Sequence, residues 1–155
     1  MAGWYKIGTK DKSDGERVNS QGTRNVLELM QELKIPKGVY TSTLAINSDT
    51  HGHLADENYQ FIEKHLSEYD RTKAAAHDIA KEFIAQGLPL VIVQPGLIYG
   101  PGDTSSVRAS LLNLFKGQLP VLPRITAQCW AHVDDIVQGH MLAMEKGKIG
   151  ESYII

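Results

Sequence analysis

The chain has a single cysteine, Cys129, which excludes an internal disulfide and fits a reducing compartment. Standing beside Trp130, it reads as a small core residue and not as a nucleophile. No apolar run approaches the ~18 residues that a membrane helix needs. Met1-Ala2-Gly3-Trp4-Tyr5-Lys6 does not read as a signal peptide, so a cytoplasmic location is expected. A formal net charge of −2 gives no electrostatic reason to expect nucleic acid or an anionic membrane as partner. His51-Gly52-His53 has no Cys or carboxylate at ligand spacing, so no metal site is expected there. Internal repeats, low-complexity stretches and domain linkers are missing as well. What remains is 155 residues, 42% hydrophobic and 22% charged, which suits one domain over 1–155 with one sizeable core.

Residues 1–14 show no periodicity and read as a poorly anchored lead-in. From about Asp14, the residues Val18, Val26, Leu27, Leu29, Met30 and Leu33 fall on a helical stripe that ends before Pro36. Asn19 lies near its start, where a capping role is the ordinary explanation. Gly22 inside it costs roughly 1 kcal/mol against Ala and suggests a close packing contact. Gly38-Val39-Tyr40-Thr41-Ser42-Thr43 reads as a strand delivering three successive hydroxyls at its carboxyl end, where parallel α/β sheets gather ligands. Residues 47–58 are polar and turn-rich, a loop long enough to cover a site.

A helix is expected from Ser67, a suitable N-cap, to Gln86, with Gly87 as its stop. Leu88-Pro89-Leu90-Val91-Ile92-Val93-Gln94 is a continuous apolar run, the mark of a strand buried on both faces. Pro95 to Asp103 forms a Gly/Pro-dense turn at the end of that strand, capped by Asp103. A helix over 107–115, another running from about Asp134 to Lys146, and a last strand over 151–155 complete an α/β pattern. Asp134 and Asp135 suit the start of their helix better than an acid/base pair.

Within the 67–86 helix, Tyr69 and Lys73 stand four apart, on one face and one turn from each other. A phenol has a free pKa near ~10, and a neighbouring ammonium favours its ionised form, making it a usable acid/base. With six Tyr in the chain, a chance Tyr-x-x-x-Lys is expected roughly 0.4 times, so the pair alone decides nothing.

Other motifs stand around it in order. They are Val18-Asn19-x-x-Gly22-Thr23-x-Asn25-Val26-Leu27, Val39-Tyr40-Thr41-Ser42-Thr43, Tyr69-x-x-x-Lys73, Pro95-Gly96-x-x-Tyr99-Gly100-Pro101-Gly102, His132-Val133-Asp134-Asp135-Ile136 and Gly150-Glu151-x-Tyr153. Together, over about 17–155, they resemble the extended short-chain dehydrogenases/reductases, which include NAD(P)-dependent sugar epimerases, dehydratases and dihydroflavonol-type reductases. The resemblance implies an α/β fold with a partial Rossmann-like parallel sheet of about three strands (39–43, 90–94 and 151–155) and flanking helices. It implies Tyr69 as general acid/base, and Lys73 lowering its pKa and bonding the nicotinamide ribose. It further implies Thr43 on the reacting hydroxyl or carbonyl, Asn19 supporting a proton relay through water, and Pro95, Gly96 and Leu97 lining the nicotinamide. The implied chemistry is hydride transfer at carbon bonded to oxygen, with NAD or NADP as cofactor.

The family's glycine-rich turn, which holds the cofactor pyrophosphate on a helix start, is missing: no G-x-x-G-x-x-G or G-x-G-x-x-G occurs. Thr43 stands where Ser is commoner, and Gln94 where Arg is usual. The sequence therefore reads as the central part of a longer oxidoreductase, epimerase or dehydratase acting on a sugar nucleotide or other hydroxyl/carbonyl substrate. As a 155-residue chain it is expected to be inactive. A homodimer through helices 16–33 and 67–86, or through an exposed sheet edge, is the expected partner state. The rival reading is a non-catalytic binding or dimerisation module that kept the fold's central helices.

Overall fold

The computed structural model describes residues 3–5, 13–121, 124 and 127–155. The first helical stretch is one continuous rod made of α1 (Ser13–Gly15), a π-helical segment (Glu16–Gln21) and α2 (Gly22–Glu32). The Gly22 N–H reaches back to the Arg17 carbonyl, the i to i−5 bond that defines the wider turn. The close packing expected at Gly22 is not found, since an added Cβ would meet only the Arg17 carbonyl at an ordinary 3.7 Å. This glycine instead marks where the wide turn gives way to the regular helix.

Strands β1 (Gly38–Thr41), β2 (Leu90–Gln94) and β5 (Ser152–Ile154) form a parallel sheet in the order β1-β2-β5. Gly38 pairs with Leu90 and Thr41 with Val93 on one side of β2, and Val93 pairs with Tyr153 on the other. The all-apolar run of β2 follows from this central place, because every one of its residues is buried. Leu90 and Ile92 face α2 and α3 (Glu68–Ala85), packing with Leu27, Met30, Ala80 and Phe83. Val91 and Val93 face the opposite way, onto Ala143 of α5 (Val133–Lys146). The result is a sheet with helices on both faces, the α/β class expected from the alternation of strands and helices.

A second pair was not legible in the sequence. Strands β3 (Leu97–Tyr99) and β4 (Trp130–His132) are parallel neighbours, with α4 (Ser106–Phe115) between them in the chain. Their three-residue lengths lie below what periodicity can resolve. Cys129, just before β4, is exposed and not in the core as expected. Its carbonyl is the functional atom here, accepting the Leu97 N–H at 2.8 Å. No helix among the described residues is long and apolar enough to cross a membrane.

Candidate active site

Helix α3 begins where Ser67 caps it, its hydroxyl accepting the Asp70 N–H at 3.1 Å. Tyr69 therefore sits in the first turn and Lys73 one turn on, both facing the carboxyl end of β1. The Lys73 ammonium donates to the Thr41 carbonyl at 3.0 Å and lies 5.5 Å from the centre of the Tyr40 ring. Burial lowers its pKa. The Thr43 side chain lies near the Tyr69 phenol. The phenol's pKa is raised, not lowered as the spacing alone suggested. Burial is the main cause, Thr43 opposes it, and Tyr5 and Asp70 add to the rise. The physical reason for the difference is reach. The long Lys73 stem carries its charge to Thr41, while the phenol stays desolvated beside Thr43.

The three hydroxyls at the end of β1 go to three different places. Thr41 Oγ1 lies 3.0 Å from His140 Nε2 on α5. His140 Nδ1 is 2.8 Å from the Ile136 carbonyl, which can only accept, so Nδ1 carries a proton. Ser42 Oγ bonds His77 Nδ1 at 2.9 Å, deep against α3. Thr43 turns to Tyr69 and also accepts the Ala45 N–H at 3.2 Å, capping a 3-10 turn over Leu44–Asn47. Thr43, Tyr69 and Lys73 are thus brought together by β1 and α3, as expected from their motifs. His77 was missed, although 69, 73 and 77 share one helical face and that spacing could have found it.

Asn19 lies in the π-helical segment, almost fully buried. Its side-chain oxygen accepts the Trp4 N–H at 2.9 Å, and its amide donates to the Trp4 carbonyl and to Thr72 Oγ1, both at 3.0 Å. The capping role is not seen. Asn19 instead fastens residues 3–5 to α3, with Ser20 adding a 3.4 Å bond to the Thr72 carbonyl. The lead-in expected to be loose is therefore anchored at Gly3–Tyr5, while residues 6–12 lie outside the described residues. Trp4 is buried because Gly15 has no side chain: a Cβ there would come within 3.2 Å of the indole. Two aromatics in a polar lead-in were the available signal.

The Pro95–Leu97 turn follows β2 beside β1, with the Leu44 N–H bonded to the Pro95 carbonyl at 3.0 Å. Gly96 is required by crowding, since a Cβ would fall 2.5 Å from the Cys129 carbonyl oxygen. Asp103 accepts the Ser105 N–H at 2.7 Å, as expected of a turn cap, and Ser105 in turn caps α4. At the next helix the cap is His132, whose Nδ1 accepts the Asp134 N–H at 3.3 Å, and Asp134 and Asp135 fill the first turn. Among the described residues no group of three or more His, Cys, Asp or Glu could hold a metal ion. His51 instead faces Glu63 at 3.2 Å.

The model of the NAD dependent epimerase/dehydratase family matches residues 5–155. The chain belongs to this family. Within the extended short-chain dehydrogenases/reductases it is similar to the sterol-4-alpha-carboxylate 3-dehydrogenase (decarboxylating) of Candida albicans, 33% identical over 84% of this chain and 39% of that protein. It is similar also to the short-chain dehydrogenase/reductase family 42E member 1 of Macaca fascicularis, 34% identical over 90% of this chain and 40% of that protein. Among solved structures it resembles the dTDP-glucose 4,6-dehydratase of Bacillus anthracis in complex with NAD. That match has a TM-score of 0.76 at 25% identity and covers 96% of this chain and 49% of that one. The chain spans less than half the length of these relatives. Family membership fixes the Rossmann-like reading of the β1-β2-β5 sheet.

Proposed function

We propose that the chain carries the proton-transfer half of an NAD(P)-dependent oxidoreductase, epimerase or dehydratase site. The single observation behind this reading is the convergence of Thr43 on the Tyr69 phenol, with the Lys73 ammonium anchored one turn away on Thr41. Tyr69 is the acid/base that exchanges a proton with the substrate oxygen, and Thr43 orients that oxygen through its hydroxyl. Asn19 supports the relay by fixing α3 through Thr72.

The residues present fit the nicotinamide-ribose part of a dinucleotide. An ammonium has three donors, and Lys73 commits one to Thr41, leaving two suited to ribose hydroxyls. Pro95, Gly96 and Leu97 supply the turn after β2, next to the end of β1. When bound, the dinucleotide supplies hydride transfer at the carbon bearing the reacting oxygen. The pyrophosphate is another matter, because the sequence has no glycine-rich turn to hold it, so the 155-residue chain alone is inactive.

The relatives' names point to sugar nucleotides and sterol carboxylates as the substrate classes to test. The partner is a second copy. On α2 and at its end, Val26, Leu29 and Leu33 form an exposed apolar stripe. Residues buried only by pairing of this helix explain such a stripe without a non-catalytic role.

The test is turnover of dTDP-glucose and of a sterol-4-carboxylate, followed by nicotinamide absorbance. It uses a version extended at its amino terminus with the family's glycine-rich unit. Thr43→Val should lower kcat by ~10-fold or more while Thr43→Ser retains it. Equal rates for both variants would remove Thr43 from the site.

A further inference from the structure

Tyr5 belongs to none of the motifs that mark the family, yet its ring meets the Tyr69 ring edge-to-face, with centroids 4.8 Å apart and planes at 88°. Such pairs prefer this geometry. The contact is not a chance approach of a loose terminus. The preceding residue is held at both its N–H and its carbonyl by Asn19, and its indole fills the space left by Gly15. Asn19 also bonds Thr72, which stands three residues after Tyr69, and Thr72 Oγ1 bonds the Tyr69 carbonyl at 3.1 Å. Tyr5 and Tyr69 are therefore referenced to one buried amide, so their separation is set by a short rigid path.

We propose that Tyr5 is a positioning residue for Tyr69, placed by the Asn19 clamp so that its ring fixes the orientation of the phenol and screens one side of it from water. That the positioned group performs proton transfer rests on the function proposed above; the positioning itself does not. Tyr5 keeps 53% of its surface exposed, so its ring is a wall with a free outer face and not a core side chain. The other groups acting on Tyr69 are Thr43 and Tyr40 from the β1 end and Asp70 on α3. None of them changes when Tyr5 is replaced, so a difference isolates this side chain. Burial is the leading cause of the raised Tyr69 pKa, and the charge of an ionised Tyr5 phenol adds a separate rise, so only the difference between Tyr5→Phe and Tyr5→Ala reads the ring.

The test uses the 155-residue chain labelled at the tyrosine phenol carbon, with Tyr69 assigned by its loss in Tyr69→Phe. In the parent chain and in Tyr5→Phe, nuclear Overhauser contacts connect ring 5 to ring 69, and Tyr69 titrates lower in Tyr5→Phe because the Tyr5 charge is gone. In Tyr5→Ala, which also removes the ring, Tyr69 titrates lower than in Tyr5→Phe by at least about half a pH unit. Asn19→Ser, which breaks the clamp while leaving Tyr5 in place, weakens the ring contacts. A Tyr69 titration in Tyr5→Ala no lower than in Tyr5→Phe, or no ring contact in the parent chain, overturns the proposal. In the extended enzyme, Tyr5→Ala lowers kcat several-fold with the dinucleotide KM unchanged, and Tyr5→Phe restores it. If the extended enzyme turns nothing over while the spectroscopic result holds, the functional reading fails and the positioning stands.

Discussion

The Trp4 backbone and the Asn19 side chain form a two-point clamp, N–H to Oδ1 at 2.9 Å and Nδ2 to carbonyl at 3.0 Å, between residues 15 apart in sequence. An amide matched to a peptide in this way has little freedom, and the clamp ties the start of the described chain to α3. Asn19→Leu leaves the Trp4 peptide groups and Thr72 Oγ1 without their partner. It should destabilise the chain by roughly 2–4 kcal/mol, because each buried orphan costs about 1–3 kcal/mol. Urea unfolding measures this, and a loss below about 1 kcal/mol would show that the clamp is not holding.

His77 gives the fold an acid limit. Burial, with Lys81 and Lys73 nearby, brings its imidazole down to about 4 while Ser42 holds Nδ1. The unfolded chain binds a proton near the usual value of ~6.5 and the folded chain resists it, so the folded state is favoured above that pH. This stability is lost as pH falls from about 6.5 through about 4, a total on the order of 3 kcal/mol. Thermal unfolding between pH 7 and pH 4 should show a steeper decline in the parent chain than in His77→Gln.

Gly96→Ala places a methyl 2.5 Å from the Cys129 carbonyl oxygen, a backbone atom that also accepts the Leu97 N–H. The pairing of β3 with β4 must give way. A destabilisation of roughly 1–3 kcal/mol is expected. The Pro95–Leu97 wall should shift with it, read as changed amide shifts at residues 95–99 and 129–132.

The stripe of Val26, Leu29 and Leu33 on α2 is exposed at 51% to 64%. The surface pair Arg24 to Glu82, at 3.3 Å, ties α2 to α3 on another side of α2. Leu29→Lys should convert a dimer to a monomer in sedimentation velocity with no loss of unfolding free energy in the monomer. A chain that sediments as a monomer before substitution contradicts the dimer.

Much of this was legible because the signals were long or chemically specific. The all-apolar 90–94 run gave a central strand, Ser67 gave the start of α3, and the Tyr69/Lys73 spacing gave the shared face. Three hydroxyls in a row at Thr41, Ser42 and Thr43 marked the strand end, but not that each would serve a different helix or turn. Short-range pattern does not encode that choice, because it depends on which partner the sheet brings near. Trp4 and Tyr5 were hidden for the same reason: their partners lie far off in sequence, and only the wide turn at Glu16–Gln21 brings Asn19 to them. The direction of the Tyr69 shift was misjudged because spacing shows that a cation is near, while burial, which governs here, is a property of the folded chain.

The most direct test of the central claim is calorimetric titration with NAD and NADP of the 155-residue chain and of the version extended by a glycine-rich unit. The account predicts that only the extended protein binds at micromolar levels, and that its Tyr69→Phe form binds equally while turnover falls by about 10² or more. Micromolar binding by the 155-residue chain alone, or full turnover without the Tyr69 phenol, would contradict it.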